Sequence, residues 1–348
     1  MRPFSRSFFV PGVVVAAAVV LIVCPSRAQD STSVADQLTN ALNLYNNVKL
    51  DEAQALASDI LQRADLDARD SIGVLSVLSA VAFAQGEKHM SEAFGYLKQI
   101  ADVDPCLLHL PDRLWNERLR QKWFELASSV DAITCSEETT SGIKTIAIMQ
   151  FDNFSIGEYQ EKLGLLSKGL ADFFEHDFGK ISDLRVVERD RIDYVLKEHE
   201  LVKSGAIDRA TAVKAGKILG AQLMVFGSIT QIDKKSARMI VRAVNVETSE
   251  IVASVDKEGK PNFAKMEREL VGDLAKKLDI TFGDDIKNII EASGTESMDA
   301  MEFYSMGVDY ADKFDFANAY KFFKKAYEVD GKLEEAKRRM DIYYPIVG

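Results

Sequence analysis

The chain has 348 residues, 47% of them apolar and 28% charged, with a formal charge of −11 at neutral pH. That length supports two or three domains with cores of their own, and the balance is that of a soluble globular protein. The acidic excess argues against nucleic acid and against anionic membrane surfaces as partners.

The first residues stand apart. Arg2 and Arg6 precede a stretch that is apolar from Phe8 to Val23, broken only by Pro11 and Gly12. Ser26-Arg27-Ala28 then places small residues where a signal peptidase reads, so residues 1–28 are expected to be a signal peptide cleaved after Ala28. An uncleaved membrane anchor is the rival reading. Cys24 brings a third, acylation as a lipoprotein, although Val23 before it and Pro25 after it suit that modification poorly. Cleavage removes three arginines and no acid, taking the charge from −11 to −14. Export implies a periplasmic location, with association with the outer membrane left open. It also leaves Cys106 and Cys135 in an oxidising compartment, where a disulfide between them and two free buried thiols both fit.

Residues 29–135 read as a helical-repeat domain. Leu38, Ala41, Leu42 and Tyr45 share one helical face, and Ala53, Leu56, Ala57, Ile60 and Leu61 share another. A second pair spans Val74 to Ala84 and Ser91 to Ala101, where Ala93, Leu97, Ile100 and Pro105 sit at tetratricopeptide-like offsets. A further helix after Pro111 should bury Leu114, Trp115, Leu119 and Trp123; the tryptophans read as core rather than as a ligand platform. Residues 136–142 (SEETTSG) are a polar linker.

Residues 143–283 read as an α/β domain. Strands are expected over Ile143–Phe151 and Leu184–Val187, with a helix from Leu163 to Phe178 between them. A helix with Ile192, Val195 and Leu196 on one face follows, then a second with Ala212, Ala215, Ile218 and Leu219, stopped at Gly220. Leu223 to Phe226 is a buried strand closed by Gly227, the alternation from Met239 to Val246 a second, and Ile251–Val255 a third after the turn Glu247-Thr248-Ser249-Glu250. A helix from Asn262 to Leu278 closes the unit. The fold class is therefore α/β, a mixed sheet in the order β-α-β-α-α-β-β-β-α, flanked by all-α tetratricopeptide-like repeats.

The stretch RVVERDRIDYVLKE (185–198), the spacing Gly216-x-x-x-Gly220-Ala221, the run VFGSIT (225–230) and the later VRAVNVETSEIVAS (241–254) resemble the CsgG family, the curli secretion channel and related envelope proteins. The strand IAIMQFDN (146–153) and the helix KGLADFFEHDF (168–178) fit the same pattern. The resemblance implies an envelope assembly role and ring-forming contacts through the α/β domain. The resembled channels insert two long hairpins into this sheet, after the strands matching Leu223–Ile232 and Ile251–Val255. Here the corresponding connections are only Asp233–Ser236 and Lys257–Pro261. A bilayer-crossing strand needs roughly nine to eleven residues, so neither connection supplies one, and whether a ring survives without the barrel stays open. Ser249 stands at a turn where the family favours Gly.

Residues 284–299 form a linker, with a short helix expected over Asp284–Ala292, and residues 300–348 a tetratricopeptide hairpin with a capping helix from Leu333 to Tyr343. Gly307, Tyr310, Ala319, Phe323 and Ala326 fall at the repeat's packing offsets, and Gly331 replaces the usual Pro. A lone repeat is marginal, so this one must pack on the α/β domain, on the N-terminal helices or on another chain. The hairpin is rich in aromatics. Phe314, Tyr320 and Phe322 are candidate partner-binding residues in a groove, packing against a neighbouring domain being the alternative.

Little of the sequence speaks for chemistry. His89, His109, His176 and His199 lie in four different elements without a Cys or carboxylate at metal spacing. There is no nucleophile elbow and no phosphate loop. The cluster Glu188, Arg189, Asp190, Arg191 and Asp193 reads as a helix start with solvated i,i+3 and i,i+4 ion pairs. The expectation is a non-catalytic exported envelope protein without metal or cofactor, an assembly or scaffold component in secretion or envelope biogenesis. It acts through contacts with other envelope proteins, has no membrane-spanning segment in the mature chain, and is not itself a pore. The alternative is a periplasmic regulator or sensor that binds an envelope enzyme such as a cell-wall synthase.

Overall fold

Helices come first, as the periodicity requires. In the computed structural model, which describes residues 33–105, 107, 110–111, 113–128, 144–198, 209–280 and 295–348, α1 is Val34–Asn46, α2 Leu50–Leu61, α3 Ala68–Ala84, α4 Met90–Val103 and α5 Glu117–Ser128. Cys24, Ala28, Cys106, Cys135, His109, His199, the 136–142 linker and the helix expected over 284–292 lie outside the described residues. Ala41, Tyr45, Ala53, Ala57 and Ile60 are buried, as their shared faces predict. Helix α3 has no exposed face from Val74 to Phe83, so it is the central helix of this layer. Trp115 and Trp123 are buried 6.0 Å apart, and the Trp115 indole N–H donates to the Ser76 carbonyl of α3. The Asn116 side chain accepts from the Arg118 and Leu119 amides, which opens α5.

The α/β part runs β1 (Lys144–Ile148), β2 (Asp152–Asn153), α6 (Glu158–Lys162), α7 (Leu166–Gly179), β3 (Leu184–Val187), α8 (Arg189–Glu198), α9 (Arg209–Leu219), β4 (Leu223–Gln231), β5 (Ala237–Asn245), β6 (Ile251–Gly259) and α10 (Phe263–Lys277). The sheet order is β3-β1-β4-β5-β6, with β2 also paired to β4. β1 lies parallel to β3 and β4, while β4, β5 and β6 form an antiparallel meander. Several details differ from the expected elements: β1 ends at Ile148 rather than Phe151, and β4 runs through Gly227 to Gln231 instead of closing there. The helix expected over Leu163–Phe178 is α7, which begins at Leu166, and a short α6 precedes it. The short β2 is additional. Strand β6 continues past Val255 to Gly259, because Lys257 and Gly259 still ladder against Met239 and Ala237.

Turn chemistry explains the chain reversals. Gly220 has φ +69° just after α9, and the Ala221 amide donates back to the Gly216 carbonyl, a Schellman-type stop that glycine permits. Ser249 sits at φ +61°, the conformation for which the family's glycine is suited. One face of the sheet packs on α7 and α10 through Val225, Ile229, Met239, Val241, Phe174 and Leu270. The other carries α8 and α9 over Ala147, Met224 and Val246, with Ile192, Val195, Ala215 and Leu219.

The C-terminal helices are α11 (Met298–Asp312), α12 (Phe316–Val329) and α13 (Glu334–Val347). A Cβ at Gly307 would lie 2.7 Å from the Phe323 ring, which is why α11 and α12 approach so closely there. Phe323 is fully buried; Tyr310 is half-buried. This hairpin packs on two of the three candidate surfaces at once. Tyr304 of α11 meets Phe173 of α7 at 4.6 Å, and Phe316 of α12 meets Phe83 of α3 edge-on at 5.8 Å. Residues Val34–Gly348 accordingly form one compact unit.

Candidate functional site: a charged junction of three segments

Where α5, α7, α11 and α13 meet, the chain buries an ion network. Arg339 lies on the inward face of α13 with Ala336 and Tyr343, both fully buried. Its Nη1 donates to Glu117 Oε1 of α5 at 2.6 Å, and its Nη2 to both Asp172 oxygens of α7 at 2.8 and 3.1 Å. One guanidinium thus ties the N-terminal helices to the α/β part and both to the C-terminal helices. The Tyr343 hydroxyl donates to Glu117 at 2.6 Å, and the Tyr304 hydroxyl donates to Asp172. Glu335, buried beside them, accepts from Arg338 and faces His176 Nδ1 at 3.1 Å.

A second knot adjoins the first. Arg189 grips Asp312 of α11 with two N–H donors at 2.7 and 3.3 Å and stands 3.8 Å from Asp172. Lys168 reaches Asp309 and Asp312 at 2.8 and 2.9 Å, and Arg120 of α5 reaches Glu188 at 2.8 Å. The expectation of a solvated helix start at Glu188–Asp193 is therefore corrected. Asp193 is exposed and pairs with Arg189 at 3.9 Å in the expected i,i+4 manner, but Arg189 itself is only 8% exposed. Its hydrogen-bonded partner Asp312 lies in a helix distant along the chain, which local spacing does not reveal.

The electrostatics follow from the pairing. Burial alone would raise the Asp172 carboxyl, but the Arg339 and Arg189 guanidiniums outweigh it and hold it well below the usual range. Glu335 is lowered in the same way, burial being overcome by Arg338. Glu117 is raised, because its desolvation exceeds the attraction of Arg339. Burial also raises Tyr304 and Tyr343 far above the ordinary phenol, so both remain donors. These charges answer one another. The neighbouring cavity, lined by His176, Glu267 and Thr295 among others, has a volume of ≈ 10 Å³, room for about one water. The arrangement fixes segments rather than presenting reactive groups.

A larger cleft, ≈ 700 Å³, lies at the other end of the sheet, with Lys144, Lys217, Lys277, Gln222 and Asn245 in its wall. Two of its lysines are spent on carbonyls: Lys144 donates to Leu278, and Lys277 to Ser254 at 2.6 Å. They serve the helix end and the sheet edge. Among the described residues no group of histidines, cysteines and carboxylates is placed to hold a metal ion.

The aromatic residues singled out in the C-terminal hairpin do not converge. Phe322 stacks on Tyr310 of α11 at 5.3 Å, with the Lys325 ammonium over its ring. Tyr320 points to the other flank of α12 and meets Tyr344 of α13 at 6.1 Å. Phe314 occupies the loop between, at φ +59°, 38% exposed and 6.2 Å from Phe316. The sequence signal for the junction was present but faint: Asp172 interrupts the apolar run of α7, and Arg339 falls on the apolar stripe of α13.

No helix among the described residues is long and apolar enough to cross a membrane. Several solved structures align with part of the chain. The C-terminal domain of LpoB from Salmonella enterica does so over 35% of this chain and 85% of its own, at 11% identity and a TM-score of 0.27. Lipoprotein GNA1162 from Neisseria meningitidis aligns over 40% and 99%, at 12% identity and a TM-score of 0.28. A PelC dodecamer from Paraburkholderia phytofirmans aligns over 39% and 89%, at 12% identity and a TM-score of 0.23. None of the curated proteins matches the chain. Residues 126–241, from the end of α5 into β5, match the family model described as curli production assembly/transport component CsgG, so that a CsgG-family domain stands between the helices of this longer chain.

Proposed function

We propose that this protein is an exported, non-catalytic component of envelope assembly or secretion, acting as a scaffold through contacts with other envelope proteins and not as a pore. The observation that carries the proposal is the shortness of the sheet's connections. β4 and β5 are joined by Ile232–Ser236 alone, and β6 reaches Gly259, leaving Lys260–Asn262 before α10. Each is well below the roughly nine to eleven residues of a single membrane-crossing strand. The CsgG-family domain supports an envelope setting, and the junction built on Arg339 supports a rigid scaffold, since three segments are fixed to one another. The signal peptide, the periplasmic location, the domain limits and the tetratricopeptide character of the helices belong to this proposal.

The molecular mass of residues 29–348 in solution tests the assembly role. A stable ring of copies is the expected result. A monomer that instead forms a stoichiometric complex with an envelope enzyme would replace the scaffold with the regulator. Turnover of a substrate that responds to a point change in the α/β core would remove both.

A further inference from the structure

The most exposed large apolar side chains among the described residues are Phe154, Ile232 and Ile156, at 62%, 59% and 55%. Phe154 and Ile156 are two residues apart, and the β2–β4 ladder brings the distant Ile232 beside them. Beyond β2 the chain stays laddered to β4: the Phe154 amide donates to the Ile229 carbonyl at 2.9 Å, and the Ile156 amide to Gln231 at 3.2 Å. That parallel register sets Ile156 directly beside Ile232, about 4.8 Å away across the ladder. Between Phe154 and Ile156, Ser155 points the other way, is buried, and accepts the Gln231 amide on its hydroxyl. Alternation therefore puts Phe154, Ile156 and Ile232 on one face, the face that α8 and α9 cover over Ala147, Met149, Met224 and Val246.

This corner is held by backbone hydrogen bonds and ends in the β4–β5 turn. There Lys234 and Lys235 are exposed, while Asp233 folds into the turn by accepting the Lys235 and Ser236 amides at 2.7 and 2.8 Å. Glu158 of α6 is paired with Lys162 and also feels the Lys234 charge, which leaves Lys235 the ammonium group less engaged with that acid. One aromatic and two aliphatic side chains standing exposed together, with the ammonium groups of the adjoining turn beside them, match the boundary between acyl chains and phosphate headgroups.

We propose that this corner is a peripheral lipid-docking site, inserting Phe154, Ile156 and Ile232 at the headgroup–acyl boundary of a phospholipid surface while Lys234 and Lys235 meet lipid phosphates. The site goes beyond the scaffold role and does not depend on it. The acidic chain as a whole is not drawn to a charged surface, so apolar insertion supplies the attraction.

The test uses residues 29–348, which contain the compact unit Val34–Gly348 and lack the apolar leader that would itself enter a membrane. Flotation with phosphatidylcholine vesicles should carry the wild type upward. The triple variant Phe154→Ser, Ile156→Ser, Ile232→Ser should lose partitioning on the order of a hundredfold at unchanged melting temperature. Ile251→Ser with Val252→Ser, exposed elsewhere at 48% and 46%, should float like the wild type. A wild type that stays down, or a triple variant that floats equally well, would overturn the proposal. Vesicle-free self-association abolished by the triple variant would assign the corner to a second copy instead, and overturn it as well.

Discussion

Replacing Arg339 with Met keeps most of the side chain's volume and removes the charge that joins three segments. The change leaves two carboxylates without their cation: Glu117, with its side chain 6% exposed, and Asp172, 5% exposed. Breaking a buried ion pair from one side costs about 3–5 kcal/mol. Asp172 keeps the Tyr304 hydroxyl and Arg189 at 3.8 Å, and Glu117 keeps Tyr343, which places the loss at the low end. About 3 kcal/mol is expected, or a fall of about 6 °C in melting temperature for a unit of this size. The sign of the pH dependence follows. In the wild type the depressed Asp172 carboxyl contributes stability that is lost only as pH falls through its low folded value. Without Arg339, burial prevails at Asp172 and acts less opposed at Glu117, so both folded values rise. A raised carboxyl is penalised increasingly as pH climbs above its unfolded value near 4. Urea unfolding should therefore show a deficit that is larger at about pH 8 than at about pH 5. A variant within about 1 kcal/mol of wild type at the higher pH, or a deficit that grows on acidification, would refute this account.

Further substitutions probe other elements. Glu267 is buried, burial raises its carboxyl well above the usual range, and its Oε1 has no hydrogen-bond partner. Glu267→Gln should leave stability unchanged at about pH 4 and raise it at about pH 8, measured by thermal melts at both. Gly307→Ala drives a methyl into the Phe323 ring and should cost about 2 kcal/mol by urea unfolding. Phe316→Ala removes the stack on Tyr343 and the edge contact with Phe83; about 3 kcal/mol should be lost. Alanine at Phe314 and Tyr320 separates packing from recognition: a lowered melting temperature speaks for packing, and lost partner capture at unchanged stability for binding.

What the chain reveals before folding is mostly what neighbours in sequence decide. The stop at Gly220, the turn at Ser249 and the core roles of Trp115 and Trp123 are set within a few residues of each site, and each stands in the fold as its pattern predicts. The junction is different. Arg339 and Asp172 are separated by 167 positions, and Arg189 and Asp312 by 123. A charge on a helix looks the same in sequence whether it meets water or a distant partner, and nearby opposite charges at Asp190 and Asp193 supply a local explanation that hides the distant one. The aromatic residues of the C-terminal hairpin are spread around their helix. Tyr320 and Phe322 are two residues apart, about 200° around a helix, so they face opposite flanks of α12.

The most direct measurement of the central claim is single-channel recording in planar bilayers with residues 29–348 alone. A scaffold whose sheet connections are a few residues long is expected to leave the bilayer current at baseline over the full voltage range. Discrete, reproducible conductance steps that depend on the protein would contradict it.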